Sequence, residues 1–225
     1  PPPYEVEIED GLMKPLISGA EAKRYVEPVT QTYLLFPYEV DDSGAQLIQA
    51  ATLKSKFPKA WGYLCSYRDA LRLRESKRDR DGELVETPFN DDEWFRFGRN
   101  QNLDKQEIQK LVVPRLVAKL GCSVDEEGTV YLDNVDVGGV EVAEGVDPFF
   151  IAGVLNSSVA NFVFKRISKP FRGSYLSANK QFIAPLPIPK ATEKERTLVA
   201  KKARGLQRLH TDRRDTLDKI ARRLD

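Results

Sequence analysis

The stretch GVLNSSVANFVFKRISKPFRGSYLSANKQFIAPLPIP, residues 153–189, combines three kinds of sequence pattern. Asn156 and Ser157 separate two apolar helical runs, and both are residue types that end one helix and cap the next. The middle places Phe171 and Tyr175 among cations, an arrangement that neither a solvated loop nor a buried core requires. The last part alternates apolar residues with prolines, which cannot donate to a central strand. The stretch therefore predicts two helices, an exposed basic loop and an apolar return to the core.

Charge is distributed unevenly along the chain. The 225 residues include 35 Lys and Arg against 34 Asp and Glu, which gives a net charge of +1. Residues 155–225 hold 17 of the basic and 6 of the acidic residues, a charge of +11, and the remaining 154 residues hold 18 and 28, a charge of −10. Positive charge concentrated in this way indicates a surface for nucleic acid or another polyanion.

The first half of the chain mixes strand and helix patterns. Residues 32–40, TYLLFPYEV, predict a strand bounded by turn residues. Residues 60–80 predict one helix with Pro58 in its first turn, and residues 79–94 predict a polar loop. The chain is therefore expected to have a mixed α+β fold, β-rich with interspersed helices and a long helix at the C-terminal end.

The middle of the chain predicts further strands and a helix start. Residues 110–117, KLVVPRLV, are typical of a buried strand in which Pro114 marks an edge or a bend. Residues 121–147 alternate short β-prone runs with glycine turns and contain eight acids and no base. Asp147, followed by proline, is a favourable start for an apolar helix.

The C-terminal part predicts one long helix from about Glu193. Thr192 and Glu195 have the spacing of a capping box. At ~1.5 Å per residue the helix would span roughly 45–50 Å, which is long enough to pack on the domain or on a partner. We therefore divide the chain into a domain of residues 1–190 and a helix of residues 191–225. An apolar stripe follows the helix at heptad-like spacing: Leu198, Val199, Leu206, Leu209, Leu217, Ile220 and Leu224.

Several classes of function lack the residues that they need. Cys65 and Cys122 are isolated and predict two reduced core thiols, and His210 is the single histidine, so that metal sites and histidine-based triads have little material. The opening PPPY lacks the polar first residue of an amino-methyltransferase tetrapeptide, and a start without methionine suggests a piece of a longer protein. No apolar run approaches the length of a membrane span, and a cytoplasmic location is expected.

Four segments in order resemble one family. They are KPLISGAEAKRY with TYLLFPY, then FPKAWGYLCSYRDALRLR, then WFRFGRNQNL with KLVVPRLV, and finally the stretch of residues 153–189. Together they resemble the TaqI-like C-terminal specificity domain, the target-recognition part of adenine-N6 DNA methyltransferases and of fused restriction–modification enzymes. The triplet Leu155, Asn156 and Ser157 and the closing KQFIAPLPIP are the most specific matches.

The resemblance implies a DNA target-recognition domain that binds double-stranded DNA and is not catalytic by itself. A separate N-terminal methyltransferase domain of the same parent would bind S-adenosylmethionine, with or without Mg²⁺, and methylate a flipped-out adenine. The parent is then expected to be a site-specific adenine-N6 methyltransferase, with or without endonuclease activity. No catalytic residue, metal site or cofactor is assigned to this chain.

DNA contacts divide into phosphate neutralisation and base reading. Forked or amide groups on constrained loops suit base edges, and cations and hydroxyls at helix ends suit phosphates. The candidate base readers are Arg172, Tyr175 and Asn179 on one loop and Arg99, Asn100 and Gln101 on a turn at Gly98. The candidate phosphate contacts are Lys165, Arg166, Lys169, Ser174 and Lys180, with a second row of Arg68, Arg72, Lys77, Arg78 and Arg80.

Each interpretation has an alternative. The second row of cations is equally typical of a solvated helix face. The turn at Gly98 is equally typical of a capped hairpin with local amide hydrogen bonds. A protein-interaction or oligomerisation module that uses the C-terminal helix is the alternative function. A third hypothesis is a nuclease in which Asp10, Glu21 and Lys23 hold Mg²⁺, although a charged helix start after Gly19 explains these residues as well.

Overall fold

The structure, a computed structural model, describes residues 4–78, 80–86, 89–171 and 173–223. Of the opening PPPY, only Tyr4 belongs to the described residues. Both strands and helices are present, which confirms the mixed α+β class. The chain divides into two compact units, of which unit 1 comprises Pro1–Lys14 and Tyr33–Lys105 and unit 2 comprises Pro15–Thr32 and Gln106–Asp225.

Strands and helices alternate along the described residues, with short 3₁₀ helices at Asp10–Leu12 and Leu103–Lys105. The strands are β1 (Met13–Ile17), β2 (Tyr33–Leu35), β3 (Tyr38–Asp41), β4 (Gly44–Leu47), β5 (Lys77–Arg78), β6 (Leu84–Glu86), β7 (Lys110–Pro114), β8 (Leu116–Val117), β9 (Ser123–Asp125), β10 (Tyr131–Leu132), β11 (Val137–Val140) and β12 (Leu176–Ser177). The helices are α1 (Ala50–Lys56), α2 (Pro58–Ser66), α3 (Arg68–Leu73), α4 (Pro148–Leu155), α5 (Ser158–Ile167), α6 (Lys180–Ile183) and α7 (Glu193–Ala221).

The core of unit 1 forms where α1 and α2 meet two aromatic residues from a later segment. Leu53 of α1 and Ala60 of α2 are fully buried, and Leu64 packs with them. Trp94 and Phe95 complete this cluster, with their ring centroids 5.5 Å apart in an edge-to-face arrangement that aromatic pairs favour. The antiparallel hairpins β3–β4 and β5–β6 belong to the same unit.

The single helix predicted for residues 60–80 is wrong in its second half. Pro58 does occupy the first helical position, but Tyr67 leaves helical geometry with φ −112° and ψ 14°, so that α3 begins anew at Arg68. Glu75 then adopts φ +58°, a left-handed conformation that ends helices. The chain continues as β5, whose partner β6 lies within the predicted polar loop of residues 79–94.

The strand predicted for residues 32–40 is divided in two. β2 ends at Leu35 and β3 begins at Tyr38, with Phe36 and Pro37 between them. Phe36 is buried, and its backbone N–H donates to the carbonyl of Leu12 at 2.8 Å. Because Pro37 has no N–H to continue a strand ladder, the apolar run is interrupted at this point.

The sheet of unit 2 is built around β7. This strand lies between β11 and β9, both antiparallel to it, and Leu111, Val112 and Val113 in it are fully buried. Pro114 pairs with Val137 of β11 beyond the last residue that pairs with β9. The proline therefore marks the predicted bend, after which the chain enters β8 and pairs with β12 instead.

Both predicted helix starts in unit 2 are confirmed. The Asp147 carboxylate accepts a hydrogen bond from the Phe149 N–H at 2.8 Å and begins α4. The Ser157 hydroxyl accepts from the Ala160 N–H at 3.0 Å and begins α5. Between them Asn156 is fully buried, and its amide exchanges two hydrogen bonds of 2.9 Å with the backbone of Cys122. These bonds fix the α4–α5 break against the sheet.

The long helix α7 begins at the predicted capping box and packs on α4 within unit 2. Its packed face consists of small and polar residues, namely Ala200, Ala203, Gln207 and Thr211, rather than of the predicted leucine stripe. Of the predicted stripe, Val199 packs against the core of unit 2, Leu224 lies outside the described residues, and the others, Leu198, Leu206, Leu209, Leu217 and Ile220, are exposed. The two helices approach closely at Gly153 of α4, where an added Cβ would lie 2.7 Å from the Val199 side chain and 3.6 Å from that of Ala203.

Two further sequence predictions meet the structure in this part of the chain. Cys122 is buried as expected, whereas Cys65 is exposed, so the prediction of a second core thiol is wrong. In the apolar return of residues 182–188, Phe182 and Leu186 are buried and Ile183 packs on the core, whereas Ile188 is exposed, so the prediction of a core position is wrong for Ile188. No helix within the described residues is both long enough and apolar enough to cross a membrane.

Candidate nucleic-acid interface

The predicted reading loop folds as a short hairpin, which we call the basic hairpin (residues 169–177). The Phe171 N–H donates to the Tyr175 carbonyl at 2.8 Å, and the Ser177 N–H donates to the Lys169 carbonyl at 3.1 Å. Gly173 at the tip has φ +68° with open space around its Cα, a conformation that favours glycine. The hairpin thus holds its two aromatic residues on either side of a glycine turn.

The base of the basic hairpin is anchored on both sides. Its returning strand β12 pairs with β8, in the register Leu176 to Val117 and Ser177 to Leu116. On the other side the Ser168 hydroxyl donates to the Ser177 carbonyl at 2.7 Å. Because β12 pairs with β8 and Ser168 closes the two arms of the hairpin, the loop presents its tip on a constrained support, which precise readout requires.

The tip displays aromatic and polar side chains to solvent. Phe171 and Tyr175 are 54% and 51% exposed, and Lys169, Ser174 and Lys180 are also exposed. Arg172, the principal predicted base reader, lies outside the described residues. Aromatic rings of this exposure, next to cations, are suited to stacking on bases, so the display fits the nucleic-acid surface that the sequence predicts.

The C-terminal end of α5 precedes the basic hairpin and adds two cations. Lys165 is exposed and projects from the last turn, where cations are favoured by the helix dipole. Arg166 instead folds back on its own helix: its guanidinium donates to the Phe162 carbonyl at 2.9 Å and lies 3.4 Å from the centroid of the Phe162 ring. Lys165 is thus the more available of these two predicted phosphate contacts.

Asn179, the predicted adenine reader, follows the hairpin at the start of α6. It is half-buried, and its side-chain oxygen accepts a hydrogen bond from the guanidinium of Arg115 at 3.3 Å. Sequence reasoning did not select Arg115 as a site residue. Its position directly after Pro114, at the bend of a buried strand, is the sequence feature that could have indicated it.

The second predicted row of cations lies in unit 1 and is only partly available. Arg68 and Arg72 both contact the carboxylate of Asp91, at 3.5 Å and 3.0 Å. Lys77 and Arg80 are exposed, and the side chain of Arg78 lies outside the described residues. Two of the five cations therefore contact an acid of their own unit, as the alternative of a solvated, ion-paired helix face suggests.

The second predicted reading turn also lies in unit 1. Arg99, Asn100 and Gln101 are exposed, and their side chains make no hydrogen bond within the described part of the chain. The preceding backbone is held in place because the Phe97 N–H donates to the Tyr38 hydroxyl at 2.7 Å. The local amide hydrogen bonds of the alternative explanation are thus not observed, and the three side chains remain candidates.

Glu21, one carboxylate of the nuclease hypothesis, is engaged in hydrogen bonds with its own neighbours. Glu21 accepts hydrogen bonds from the Ser18 N–H at 2.9 Å and from the Thr30 hydroxyl at 2.7 Å. Burial raises the pKa of Glu21, but these hydrogen bonds outweigh it and the net pKa is lowered. Residues 19–21 form a turn, so the predicted helix start after Gly19 is wrong. Among the described residues no group of His, Cys, Asp and Glu is arranged to hold a metal ion.

Comparison with known proteins decides the family. The model of the TaqI-like C-terminal specificity domain matches residues 14–188, which is more than half of the chain. The chain belongs to this family. The specificity domain is also similar to the type II restriction enzyme and methyltransferase RM.Eco57I of Escherichia coli, with 24% identity over 195 residues. That alignment covers 82% of this chain and 19% of the relative, so the chain spans about a fifth of the relative's length.

The family and the relative bear on the functional hypotheses. They identify the chain as a TaqI-like C-terminal specificity domain, and the resemblance stated from four sequence segments is confirmed. They give no support to the oligomerisation alternative. The match includes the whole of the basic hairpin and β8, so the constrained display described above belongs to the specificity domain itself.

Proposed function

We propose that this specificity domain recognises a DNA sequence through the basic hairpin of unit 2. The observation that supports the proposal is the hairpin itself, where exposed Phe171 and Tyr175 stand among cations on a base that is hydrogen-bonded on both sides. Arg172, which follows Phe171 in the sequence, would read a base edge, and the two rings would stack on or between bases.

Phosphate contacts would position the duplex around this hairpin. Lys165 and Lys169 are exposed at the end of α5 and at the start of the hairpin, and Ser174 and Lys180 are exposed on its other side. Such contacts neutralise backbone charge without reading sequence. Each lysine contact releases counterions, and its loss lowers the slope of log affinity against log salt by about 1.

We further propose that the complete protein is an adenine-N6 DNA methyltransferase of the cytoplasm, with S-adenosylmethionine bound by a methyltransferase domain outside this chain. The relative's name, a restriction enzyme and methyltransferase, supports this proposal. Incubating the full-length protein with duplex DNA and labelled S-adenosylmethionine tests it. We expect N6-methyladenine among the digested nucleosides, and methyl transfer only to cytosine would refute the proposed chemistry.

DNA recognition by the domain is tested by fluorescence anisotropy of labelled duplexes across a salt series. We expect Lys165→Ala to weaken binding to all sequences evenly and to lower the salt slope by about 1. Lys201→Ala removes the same charge from an exposed position of α7 and should leave the slope unchanged. Equal slopes for the two variants would show that α5 does not contact the phosphates.

Base reading is tested by selecting preferred sites from randomised duplexes. Arg172→Ala should relax the selected sequence at one or two base pairs, since a bidentate base contact supplies about 1–3 kcal/mol of discrimination. Tyr175→Ala should weaken binding by about 1–3 kcal/mol if the ring stacks on a base. An unchanged selected sequence in Arg172→Ala would remove that residue from the readers.

A further inference from the structure

Arg115 is held in place at the base of the basic hairpin by its backbone and its side chain together. Its N–H donates to the Asp136 carbonyl at 2.8 Å, and its carbonyl accepts from the Ala178 N–H at 2.7 Å. Its guanidinium donates through Nε to the Val137 carbonyl at 3.2 Å and through one terminal nitrogen to Asn179 at 3.3 Å. The side chain therefore joins β11 to the residue that follows the hairpin.

This contact determines the direction of the Asn179 amide. A guanidinium can only donate hydrogen bonds, so its partner must be the amide oxygen, and the amide nitrogen must point elsewhere. That nitrogen has no hydrogen-bond partner among the described residues. The nitrogen is also not one of the buried side-chain atoms that lack a hydrogen-bond partner in the described residues, and it is therefore accessible to solvent. The outward side of Asn179 is consequently a donor.

The remaining N–H groups of Arg115 add to the same donor character. A guanidinium carries five N–H groups, of which two contact Val137 and Asn179. The others find no acceptor within the described ranges. Adenine readout by an asparagine needs the amide oxygen to accept from the adenine amino group, and this oxygen is turned toward Arg115, which occupies one of its two lone pairs. A surface whose outward groups donate is instead complementary to an edge that only accepts.

We propose that Arg115 is a positioning residue that holds Asn179 with its donor outward, so that the pair reads the acceptor edge of guanine, N7 and O6, at the base of the basic hairpin. The inference rests on the proposed function, since it specifies what this part of the recognition surface reads. It replaces the sequence-based expectation that Asn179 reads adenine. In the major groove, guanine is the base that presents two acceptors side by side.

The decisive variant is Asn179→Asp in the full-length protein. Aspartate keeps the shape of the side chain and still accepts from Arg115, but it removes both outward N–H donors. We expect an unchanged or higher unfolding midpoint, together with a loss of preference at one guanine of the selected site by roughly 5- to 150-fold. Gln181→Glu, an exposed position on α6, adds the same charge nearby and should weaken all duplexes evenly.

Two further measurements separate positioning from a merely structural role. Arg115→Lys keeps the positive charge but lacks the planar guanidinium that holds Asn179, so the variant should lose its preference at the same base pair. The double variant with Asn179→Asp should lose no more preference than either single variant. Replacing the selected guanine with 7-deazaguanine removes its N7 acceptor. We expect this replacement to weaken the wild-type protein and to leave Asn179→Asp unaffected.

The possible results are distinguishable. Loss of affinity that is equal for all sequences, with a salt slope lower by about 1, would assign the pair to phosphate oxygens and overturn the inference. If Asn179→Asp selects the same site as the control Gln181→Glu, the inference is also overturned, while the proposed function stays intact. A wild-type protein that selects no sequence at all would refute the proposed function itself, and this inference with it.

Discussion

Replacing Asp125 with asparagine would leave the charge of Lys110 buried without its counter-ion. The Lys110 Nζ lies 2.7 Å from the Asp125 carboxylate, and the two side chains are only 3% and 4% exposed. The Asp125 carboxylate also accepts from the backbone N–H groups of Thr129 and Val130 and from the Thr129 hydroxyl, so that it closes the turn between β9 and β10. The pair is part of the unit 2 sheet and lies outside the proposed DNA contacts.

We expect a large loss of folding free energy. Removing one partner of a buried ion pair typically destabilises a protein by roughly 3–5 kcal/mol, whereas an exposed ion pair contributes about 0–1 kcal/mol. Two carbonyls, of Gln106 at 2.6 Å and Ile108 at 3.2 Å, continue to solvate the Lys110 ammonium. Asparagine also keeps an acceptor for the turn. We therefore expect the lower end of the range, about 3 kcal/mol.

The loss should depend on pH in a defined direction. Burial lowers the pKa of Lys110, while the hydrogen bond and the charge of Asp125 raise it, and burial prevails. Without Asp125 the pKa of Lys110 in the folded state falls further below its value in the unfolded chain. Above that lowered pKa the folded state binds fewer protons than the unfolded state, so stability rises with pH. The deficit of the variant should therefore shrink as the pH increases toward the ordinary pKa of lysine.

Urea unfolding measures the effect because the two units give different spectroscopic signals. Trp61 and Trp94 are the only tryptophans of the chain and belong to unit 1, whereas the 29-residue α7 dominates the helical circular dichroism of unit 2. The dichroism transition should move and report the loss. Adding Lys110→Met should recover stability, since it removes the buried charge. A loss below about 1 kcal/mol, or no recovery in the double variant, would refute the reasoning.

Two other predictions concern the packing of unit 2 and its thiol chemistry. Gly153→Ala should lower thermal stability by about 1–3 kcal/mol, because its Cβ would lie 2.7 Å from Val199 in a packed interface. Gly205→Ala on α7, where a Cβ meets nothing within 4 Å, should instead gain up to about 1 kcal/mol, and calorimetry of both variants compares them. Burial raises the pKa of Cys122 to about 12, so a thiol reagent at pH 8 should label the exposed Cys65 alone, with Cys122 reacting only after unfolding.

For α7 the prediction of a helix is correct, but the prediction of which of its residues pack is largely wrong. The capping box of Thr192 and Glu195 begins the helix as the sequence indicates. The spacing of its leucines suggests that they pack, yet Leu209 is 66% exposed and Ala203 is buried. The packed face is set by α4, a separate element in which Gly153 brings the two helices close together.

Sequence by itself determined the features of this protein whose partners lie within a few residues along the chain. The helix starts at Asp147, Ser157 and Thr192 are of this kind, because a cap accepts hydrogen bonds from backbone groups two or three residues away. The family resemblance was also determined by sequence, since it depends on the order of local motifs. Neither the helix starts nor the resemblance depends on how distant segments of the chain pack together.

Only the tertiary structure decided the direction of Asn179, because Arg115, which fixes its amide, lies 64 residues earlier in the chain. The same applies to the helix break at Tyr67 and to the contacts of Arg68 with Asp91. A side chain's partner is selected by geometry that many residues determine together, and no short pattern encodes it. Candidate residues for a recognition surface can thus be listed from sequence, but the hydrogen-bond character that each side chain presents depends on the fold.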